Sequence, residues 1–374
     1  MKWFTSIPQS LLAVILLAIP SSAQTYSNCN PLTGGTCPAD SALGSSVTID
    51  FTKGGSDSFT AQGSPSYTSN GAGFTVAKSG DSPQLTSKWY IMFGHVEVVS
   101  KAAPGAGIVS SFVLQSDDLD EIDWEWLGAD PDQVQTNYFG KGQTTTYNRG
   151  AFSANSGSQS AYHTYTIDWT STQIVWQIDG KTVRVLTPAT AEANQYPQTP
   201  MQIKVGSWSG GDSANPAGTI AWAKGPTDYT KGPFTMYVKS IAVTDYSTGT
   251  QYKYTGTTGN WQNIQAVGGT ISGNSNGKSP SSVSASAPAI TSLSSGGPIP
   301  FQGTTLYPQA TGTKSQYTVT YTNYPGLPSG WTVTQSGKVV PPSSAASDTH
   351  GNHASILAAT CFIFGLTITG RLFS

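Results

Sequence analysis

The sequence has 374 residues and a formal net charge of −2, and Asp, Glu, Lys and Arg together make up 10% of it, against about 25% in a typical soluble domain. A nearly neutral chain gives no electrostatic reason to expect binding to nucleic acid or to an anionic membrane surface. Gly, Ser, Thr, Tyr and Trp take the place of charged residues, and this composition suits an extracellular protein that handles neutral, hydroxyl-rich ligands.

The N-terminal segment has the pattern of a secretory signal peptide. Lys2 supplies a positive charge, residues 11–19 form an apolar stretch, and small residues at 21–23 precede Gln24. The apolar stretch is well short of the roughly 20 residues that span a bilayer, which disfavours a retained membrane anchor. We therefore expect residues 1–23 to be removed and the protein to be secreted.

Three cysteines occur in the sequence, and two of them follow the signal peptide closely. Cys29 and Cys37 enclose a short segment with Pro and Gly, whereas Cys361 lies in the C-terminal tail. A secreted chain folds in an oxidising compartment, so we expect a disulfide between Cys29 and Cys37. Two thiols without a nearby histidine do not favour a metal site.

Residues 24–267 have the composition of one ordered, strand-rich domain. Short runs of Val, Ile, Thr, Tyr, Phe and Trp alternate with clusters of Gly, Pro, Asn and Ser. Asp179-Gly180 separates two such runs and is typical of a two-residue hairpin turn. No long helical pattern competes, and we expect at most a turn near residues 190–194. Many short antiparallel strands predict an all-β fold, a two-sheet sandwich or jelly roll.

The most informative stretch is acidic. Six of the 20 Asp and Glu residues lie between Asp117 and Glu125. Within it Glu121, Asp123 and Glu125 alternate with Ile122, Trp124 and Trp126, as expected for a strand with carboxylates on one face and apolar side chains on the other.

Two carboxyl groups that flank a glycosidic bond are the usual means of cleaving it, one as proton donor and one as nucleophile. Positions 121 and 125 lie about 13 Å apart on an ideal strand, so long Glu side chains and strand curvature must bring their tips together. Asp123 between them is expected to hold a proton or to form a hydrogen bond with a neighbour, and its charge is expected to raise the pKa of the acid. The alternative is an acidic surface strand or a calcium site that includes Asp117, Asp118 and Asp120, but the two Glu and two Trp residues do not resemble a calcium loop.

After the ordered domain the composition changes. Residues 268–344 are rich in Ser, Thr, Gly and Pro, which predicts an extended, O-glycosylated stalk. Residues 316–322 are compatible with a strand, and a small second β-module is the alternative.

The C-terminus has the pattern of a GPI-attachment signal. Small residues at 343–346 precede a polar spacer and an apolar tail at 356–368, in the order and lengths that such signals require. We predict Ser344 as the attachment residue and 345–374 as the removed propeptide. A transmembrane helix is the alternative, which the short tail and Arg371 disfavour.

The acidic motif and its flanks resemble a known family. Glu121-Ile-Asp123-Trp-Glu125 matches the Glu-x-Asp-x-Glu signature of glycoside hydrolase family 16, whose members are retaining enzymes with a β-jelly-roll fold. The segments 101–118, 135–142 and 202–212 are closer to the fungal Crh-type cell-wall transglycosylases, and the likeness covers about residues 26–250. The resemblance implies Glu121 as nucleophile, Glu125 as acid/base and Asp123 as assisting carboxylate. It also implies transfer of chitin-derived chains to β-glucan acceptors.

Further residues are expected to bind sugar, because aromatic rings pack against the C–H faces of pyranoses. The resemblance places Lys204, Trp208 and Thr219, together with Glu125, at the donor sugar, although Trp208 is also a candidate core residue. Asn137 and Tyr138 are further candidates for the cleft. Nothing in the sequence indicates a metal, a cofactor or a catalytic histidine.

The motif leaves two other functions open. An endo-β-glucan hydrolase would use the same carboxylates, because water and a sugar hydroxyl resolve the same intermediate. A lectin or wall adhesin without activity is the second alternative, but such a protein has no need for a nucleophile and an acid.

Overall fold

The computed structural model describes residues 27–34, 36–144 and 148–274, together with the backbone of three short strands further along the chain. All of these belong to one unit, Met1–Pro341, and the second unit, Pro342–Ser374, lies outside the described residues. The predicted signal peptide, Ser344 and the GPI propeptide also lie outside them. The described part contains no helix that is both long and apolar enough to span a membrane.

The described strands are, in chain order, β1 (Asp40–Ser41), β2 (Ser46–Asp50), β3 (Phe59–Gln62), β4 (Ser66–Thr68), β5 (Gly71–Val76), β6 (Gln84–Ser87), β7 (Gly94–Lys101), β8 (Ile108–Ser116), β9 (Glu121–Leu127), β10 (Gln133–Phe139), β11 (Ala151–Ala154), β12 (His163–Trp169), β13 (Ile174–Ile178), β14 (Lys181–Leu186), β15 (Met201–Ser209), β16 (Phe234–Asp245), β17 (Gln251–Tyr254), β18 (Ile264–Val267), β19 (Thr320–Tyr321), β20 (Thr332–Thr334) and β21 (Val339–Val340). One α-helix, α1, spans Ala217–Trp222 within this part of the chain, and 3-10 turns lie at Pro31–Thr33, Phe51–Lys53, Tyr229–Lys231 and Trp261–Asn263.

Two large antiparallel sheets make up the domain. The first, here called the site sheet, has the order β11-β10-β9-β8-β15-β6-β3, and the second, the outer sheet, has the order β14-β13-β12-β7-β16-β5-β4 with β2 also paired to β16. A small third sheet is formed by β1, β17 and β18. The predicted all-β jelly-roll sandwich is therefore confirmed.

The core lies between the two large sheets and is rich in aromatic rings. Trp124 and Trp126 of the site sheet are 0% and 1% exposed. Both meet Tyr165 of the outer sheet edge-on, at ring-centroid distances of 5.5 and 4.5 Å. Rigid rings packed from both sides fix the position of β9 and therefore of the side chains on its other face.

Local sequence signals explain several boundaries. Asp179 and Gly180 form the predicted two-residue hairpin turn between β13 and β14, and their φ values of 49° and 74° are those of a type I′ turn. Cys29 and Cys37 form the expected disulfide.

The structure departs from the sequence prediction in three places. The ordered domain continues past residue 267, because Asn274 donates a hydrogen bond to the Asp245 backbone oxygen. Within the predicted stalk, β19, β20 and β21 pair as an antiparallel sheet, and β19 lies within residues 316–322, which were compatible with a strand. Helix α1 was not predicted, because its six residues are fewer than the window of about 11–18 residues over which helical periodicity can be recognised.

Candidate active site

The acidic strand is β9, and its two faces differ as predicted. Ile122 and Trp124 are fully buried toward the core, whereas Glu121 and Glu125 are partly exposed on the opposite face of the site sheet. Asp123 lies on the same face as the glutamates but is only 1% exposed. Three carboxyl groups are thus presented side by side, with the central one shielded from water.

The turn that leads into β9 is held by its own acidic residues. The carboxylate of Asp120 accepts hydrogen bonds from the backbone N–H groups of Lys141 (2.9 Å) and Gln198 (2.8 Å) and from the Thr199 hydroxyl (2.9 Å). Asp118 accepts hydrogen bonds from Ser116 and Thr199. These carboxylates tie the start of the strand to two other loops. Among the described residues no group of three His, Cys, Asp or Glu side chains is arranged to hold a metal ion.

Strand register defines the neighbours of the three carboxyl groups, since directly paired residues share a face. On β8, Gln115 pairs with Glu121, Val113 with Asp123 and Ser111 with Glu125. On β10, Phe139, Asn137 and Gln135 pair with the same three residues in the same order. The carboxyl groups are therefore bordered on both sides by amide, hydroxyl and apolar groups rather than by further charges.

The environment raises the pKa of two of the carboxyl groups. Burial, and next the negative charge of Glu121, raise the pKa of Glu125 from 4.5 to about 8. Burial, followed by the charges of Glu125 and Glu121, raises the pKa of Asp123 well above its usual range. Glu125 therefore carries a proton at neutral pH, which is what a general acid needs.

Two roles were expected for Asp123. A charge on Asp123 would raise the pKa of the acid, but the causes that raise the Glu125 pKa are burial and the charge of Glu121. Asp123 is too deeply buried to be the charged member of the group, because removing an ion from water costs more free energy than its interactions with neighbouring groups recover. The other expectation, that Asp123 holds a proton, agrees with its raised pKa.

A buried guanidinium lies behind the strand. Arg184 of β14 donates hydrogen bonds to the backbone oxygens of Thr136 (2.8 Å) and Arg149 (2.7 Å) and lies over the Trp176 ring. Its charge acts against the rise in the Asp123 pKa, but burial of Asp123 is the larger effect. The Trp176 ring N–H also donates to the Asp123 backbone oxygen at 3.2 Å, so the outer sheet helps to position the middle of β9.

Lys204 lies beside the Glu121 end of the strand, as expected for a cleft residue. It lies on β15 and pairs with Val113 of β8. Its ammonium group donates a hydrogen bond to the Gln115 side-chain oxygen. Burial lowers its pKa, and the nearby charges of Glu121 and Asp117 act in the opposite direction. Asp117 in turn accepts a hydrogen bond from the Tyr90 hydroxyl at 2.8 Å.

Trp208 and helix α1 border the other end of the site. Trp208 is partly buried and stacks with Trp222, with ring centroids 6.1 Å apart and an interplanar angle of 24°. The two rings pack on a small apolar cluster of Val109, Leu127 and Ala223. Trp208 is therefore not a fully buried core residue, since one part of it packs on this cluster and another part remains exposed. Thr219 lies half-buried on α1.

The structure separates the two residues of β10 that were expected in the cleft. Asn137 pairs with Asp123 on the carboxylate face. Tyr138 pairs with Ile122, is 3% exposed within the core, and its hydroxyl accepts a hydrogen bond from the Glu192 N–H at 3.0 Å. The prediction for Tyr138 was wrong, because consecutive residues of a strand point to opposite faces.

Sequence reasoning missed several residues of the site. The Trp222 ring N–H donates to the Gln135 side-chain oxygen at 3.1 Å, which links α1 to β10. Alternation along β10 would have identified Gln135 and Phe139, since they share the face of Asn137. No local pattern could have identified Trp222 or Arg184, because each reaches the site from a distant segment of the chain.

The comparisons with known proteins agree with this geometry. The model of glycosyl hydrolases family 16 matches residues 53–224. Crh-like protein 4 of Botryotinia fuckeliana is 55% identical over 347 residues, which cover 91% of this chain and 92% of that protein. Crh-like protein 4 of Aspergillus fumigatus is 55% identical over 368 residues, which cover 94% of this chain and 80% of that protein.

A solved structure gives the same result. The Crh5 transglycosylase in complex with NAG is 51% identical, with a TM-score of 0.62, and the match covers 64% of this chain and 99% of that one. The identity and coverage of these relatives show that the chain belongs to glycosyl hydrolases family 16 and, within it, to the Crh-like transglycosylases.

Proposed function

We propose that this enzyme cleaves chitin by a retaining double displacement and transfers the released chain to β-glucan, which cross-links the fungal cell wall. The observation that carries the proposal is the pairing of unlike carboxyl groups on one strand. Glu125 holds a proton at neutral pH because its pKa is about 8, and Glu121 carries the charge that helps to keep it there. One group can donate a proton while the other attacks.

In the first step the Glu121 carboxylate attacks the anomeric carbon and forms an ester bond to the sugar. The bond from that carbon to the leaving oxygen breaks, and Glu125 gives its proton to this oxygen. In the second step Glu125, now a carboxylate, takes the proton of an acceptor hydroxyl. The hydroxyl oxygen attacks the same carbon, the ester breaks, and Glu121 is released.

Asp123 supports both steps from between the glutamates. Its raised pKa keeps it protonated, so it can donate a hydrogen bond to a neighbouring carboxylate without adding a second charge. A hydrogen-bond donor on the nucleophile stabilises the carboxylate when the ester breaks.

The donor chain is proposed to lie toward Lys204, Trp208 and Thr219. Lys204 offers N–H donors near Glu121, and the Trp208–Trp222 pair offers an apolar surface for a pyranose ring. The Crh5 transglycosylase was solved with NAG, and N-acetylglucosamine is the repeating unit of chitin. This supports chitin as the donor here.

The proposal is tested with purified enzyme, chitin oligomers and a fluorescent β-glucan oligomer. Labelled hybrid chains are expected, and none should form with Glu121→Gln. Shortened chitin without hybrids would favour an endo-hydrolase, and an unchanged donor and acceptor would favour a lectin or adhesin.

We also propose secretion by removal of residues 1–23 and attachment of a GPI lipid at Ser344, which would place the enzyme at the cell membrane and wall. The support is the order of small, polar and apolar segments at the C-terminus. Treatment of membranes with a GPI-specific phospholipase should release the enzyme. Enzyme that stays in the membrane fraction would indicate a spanning tail instead.

A further inference from the structure

Phe152 is an exposed aromatic side chain on edge strand β11 of the site sheet. Among the residues with described burial only two large hydrophobic side chains are exposed, Phe152 at 39% and Tyr67 at 36%. Tyr67 stacks on Phe51, with ring centroids 6.2 Å apart, at the far edge of the outer sheet. A single exposed apolar ring is common on protein surfaces, so the case for Phe152 depends on its position relative to the carboxyl groups.

Strand register places Phe152 on the same face as the carboxyl groups. Phe152 pairs with Gln135 on β10, and Gln135 pairs with Glu125 on β9. Directly paired residues of antiparallel strands share a face. Phe152, Gln135 and Glu125 therefore form a row across the sheet, with Phe152 about 9–10 Å from Glu125 at two strand spacings.

Gln135, which is next to Phe152 in this row, is fixed by packing and by a hydrogen bond. Gln135 is 8% exposed and accepts the hydrogen bond of the Trp222 ring N–H at 3.1 Å. A Cβ atom on Gly150 would come within 2.8 Å of the Gln135 amide nitrogen, so glycine lets the start of β11 pack directly against Gln135. The Phe152 ring is thus carried by a packed strand rather than by a loose loop.

The strand order assigns Phe152 to the acceptor side. Lys204 and Trp208, which are proposed above to bind the donor chain, lie on β15, two strands from β9 in one direction. Phe152 lies two strands from β9 in the other direction. The reacting carbon must lie over β9, between Glu121 and Glu125, so a chain bound over Phe152 is on the side of the leaving or attacking oxygen.

Resting on the proposed function, we infer that Phe152 is the aromatic platform that packs against a pyranose ring of the β-glucan acceptor. Phe lacks a hydroxyl group, so it recognises the C–H face of a sugar and not its hydroxyl pattern. A polar side chain is also available in the same region, because Gln133 shares this face through its pairing with Ala154.

The test measures hybrid formation against acceptor concentration for the full enzyme, with a fixed chitin oligomer donor and a fluorescent β-glucan oligomer as acceptor. Phe152→Ala should raise the half-saturating acceptor concentration about threefold to tenfold, the range expected for loss of one aromatic contact. The rate at saturating acceptor should change less. Phe152→Trp keeps an aromatic ring and should restore acceptor binding.

Tyr67→Ala is the matched control, since it removes the other exposed ring outside the site sheet, and it should give the wild-type acceptor dependence. If wild-type enzyme forms hybrids and Phe152→Ala keeps the same half-saturating acceptor concentration, the inference is wrong and the proposed function stands. An increase confined to the half-saturating donor concentration would also overturn it. If wild-type enzyme forms no hybrids, the proposed function itself fails.

Discussion

Glu125 should destabilise the folded enzyme at alkaline pH, and Glu125→Gln should remove that effect. The folded-state pKa of about 8 lies above the usual value of 4.5, so the folded protein holds this proton more tightly than the unfolded chain. The resulting stabilisation is fully present below about pH 4.5 and is lost as the pH rises through about 8. Gln has nearly the shape of the protonated acid and cannot ionise.

The size of the effect follows from the shift. Each pKa unit corresponds to about 1.4 kcal/mol, so a rise from 4.5 to about 8 gives a ceiling of about 5 kcal/mol. The charge of Glu121 is one cause of this pKa shift. Glu125 also keeps partial contact with solvent, which reduces the free-energy change below the ceiling. About 4 kcal/mol of this ceiling falls between pH 5 and pH 9, and we expect about half of that, about 2 kcal/mol, as the extra stability that the variant gains over wild type across this range.

Urea unfolding of both proteins at the two pH values measures this gain. Subtracting wild type from the variant at each pH removes the contributions of other buried carboxyl groups such as Asp40 and Asp120, whose pKa values of about 8 and about 7 also lower stability at high pH. Glu97→Gln on outer-sheet strand β7 is the control for the chemical change itself. A gain of the same size at pH 5 and pH 9 would refute the electrostatic account of Glu125.

Four further predictions concern activity and packing. Glu121→Gln should abolish turnover and lower the pKa of Glu125 below about 8, since the Glu121 charge helps to raise it; carboxyl NMR of labelled glutamate measures the pKa, and an unchanged value would contradict the assignment. In wild-type enzyme, kcat/KM should fall as the pH rises through about 8, as Glu125 of the free enzyme loses the proton that it must donate; a value that climbs through this range would point to another acid. Trp222→Ala should lower kcat/KM for chitin oligomers about threefold to tenfold, and Trp222→Phe, which keeps the stacking on Trp208, should recover most of it; steady-state rates decide, and equal losses in both would assign the effect to the Gln135 hydrogen bond. Tyr138→Phe should cost about 1 kcal/mol in the free energy of unfolding, because it removes the acceptor for the Glu192 N–H, and leave kcat/KM as it was; a loss of activity at full stability would return Tyr138 to the cleft.

Structural features that depend only on residues close together in the sequence were predicted correctly. Alternation of carboxylates and apolar side chains identified β9 and the orientation of both its faces, because a strand has a fixed period of two. Asp179-Gly180 identified its hairpin because few residue pairs adopt the required positive φ values. The same alternation contradicts a cleft position for Tyr138 beside Asn137, and applying it along β10 would have selected Gln135.

Contacts between segments that are distant in the sequence could not be predicted from local patterns. Arg184 comes from the outer sheet and Trp222 from a six-residue helix, and neither has a sequence signature near the acidic motif. The protonation of Asp123 depends on how completely the fold removes water from it, so alternation could place its side chain but not its charge. Phe152 is recognisable only once the register of β11 and β10 is known.

The central claim is that Glu121 forms the covalent bond and Glu125 donates the proton. Rapid acid quenching of the enzyme during turnover of a chitin oligomer, followed by proteolysis and mass spectrometry, tests it most directly. We predict a sugar adduct on the peptide that carries Glu121, with fragmentation placing it on that residue, and loss of the adduct when a β-glucan acceptor is added before the quench. An adduct on Glu125, or turnover without any adduct, would contradict the account.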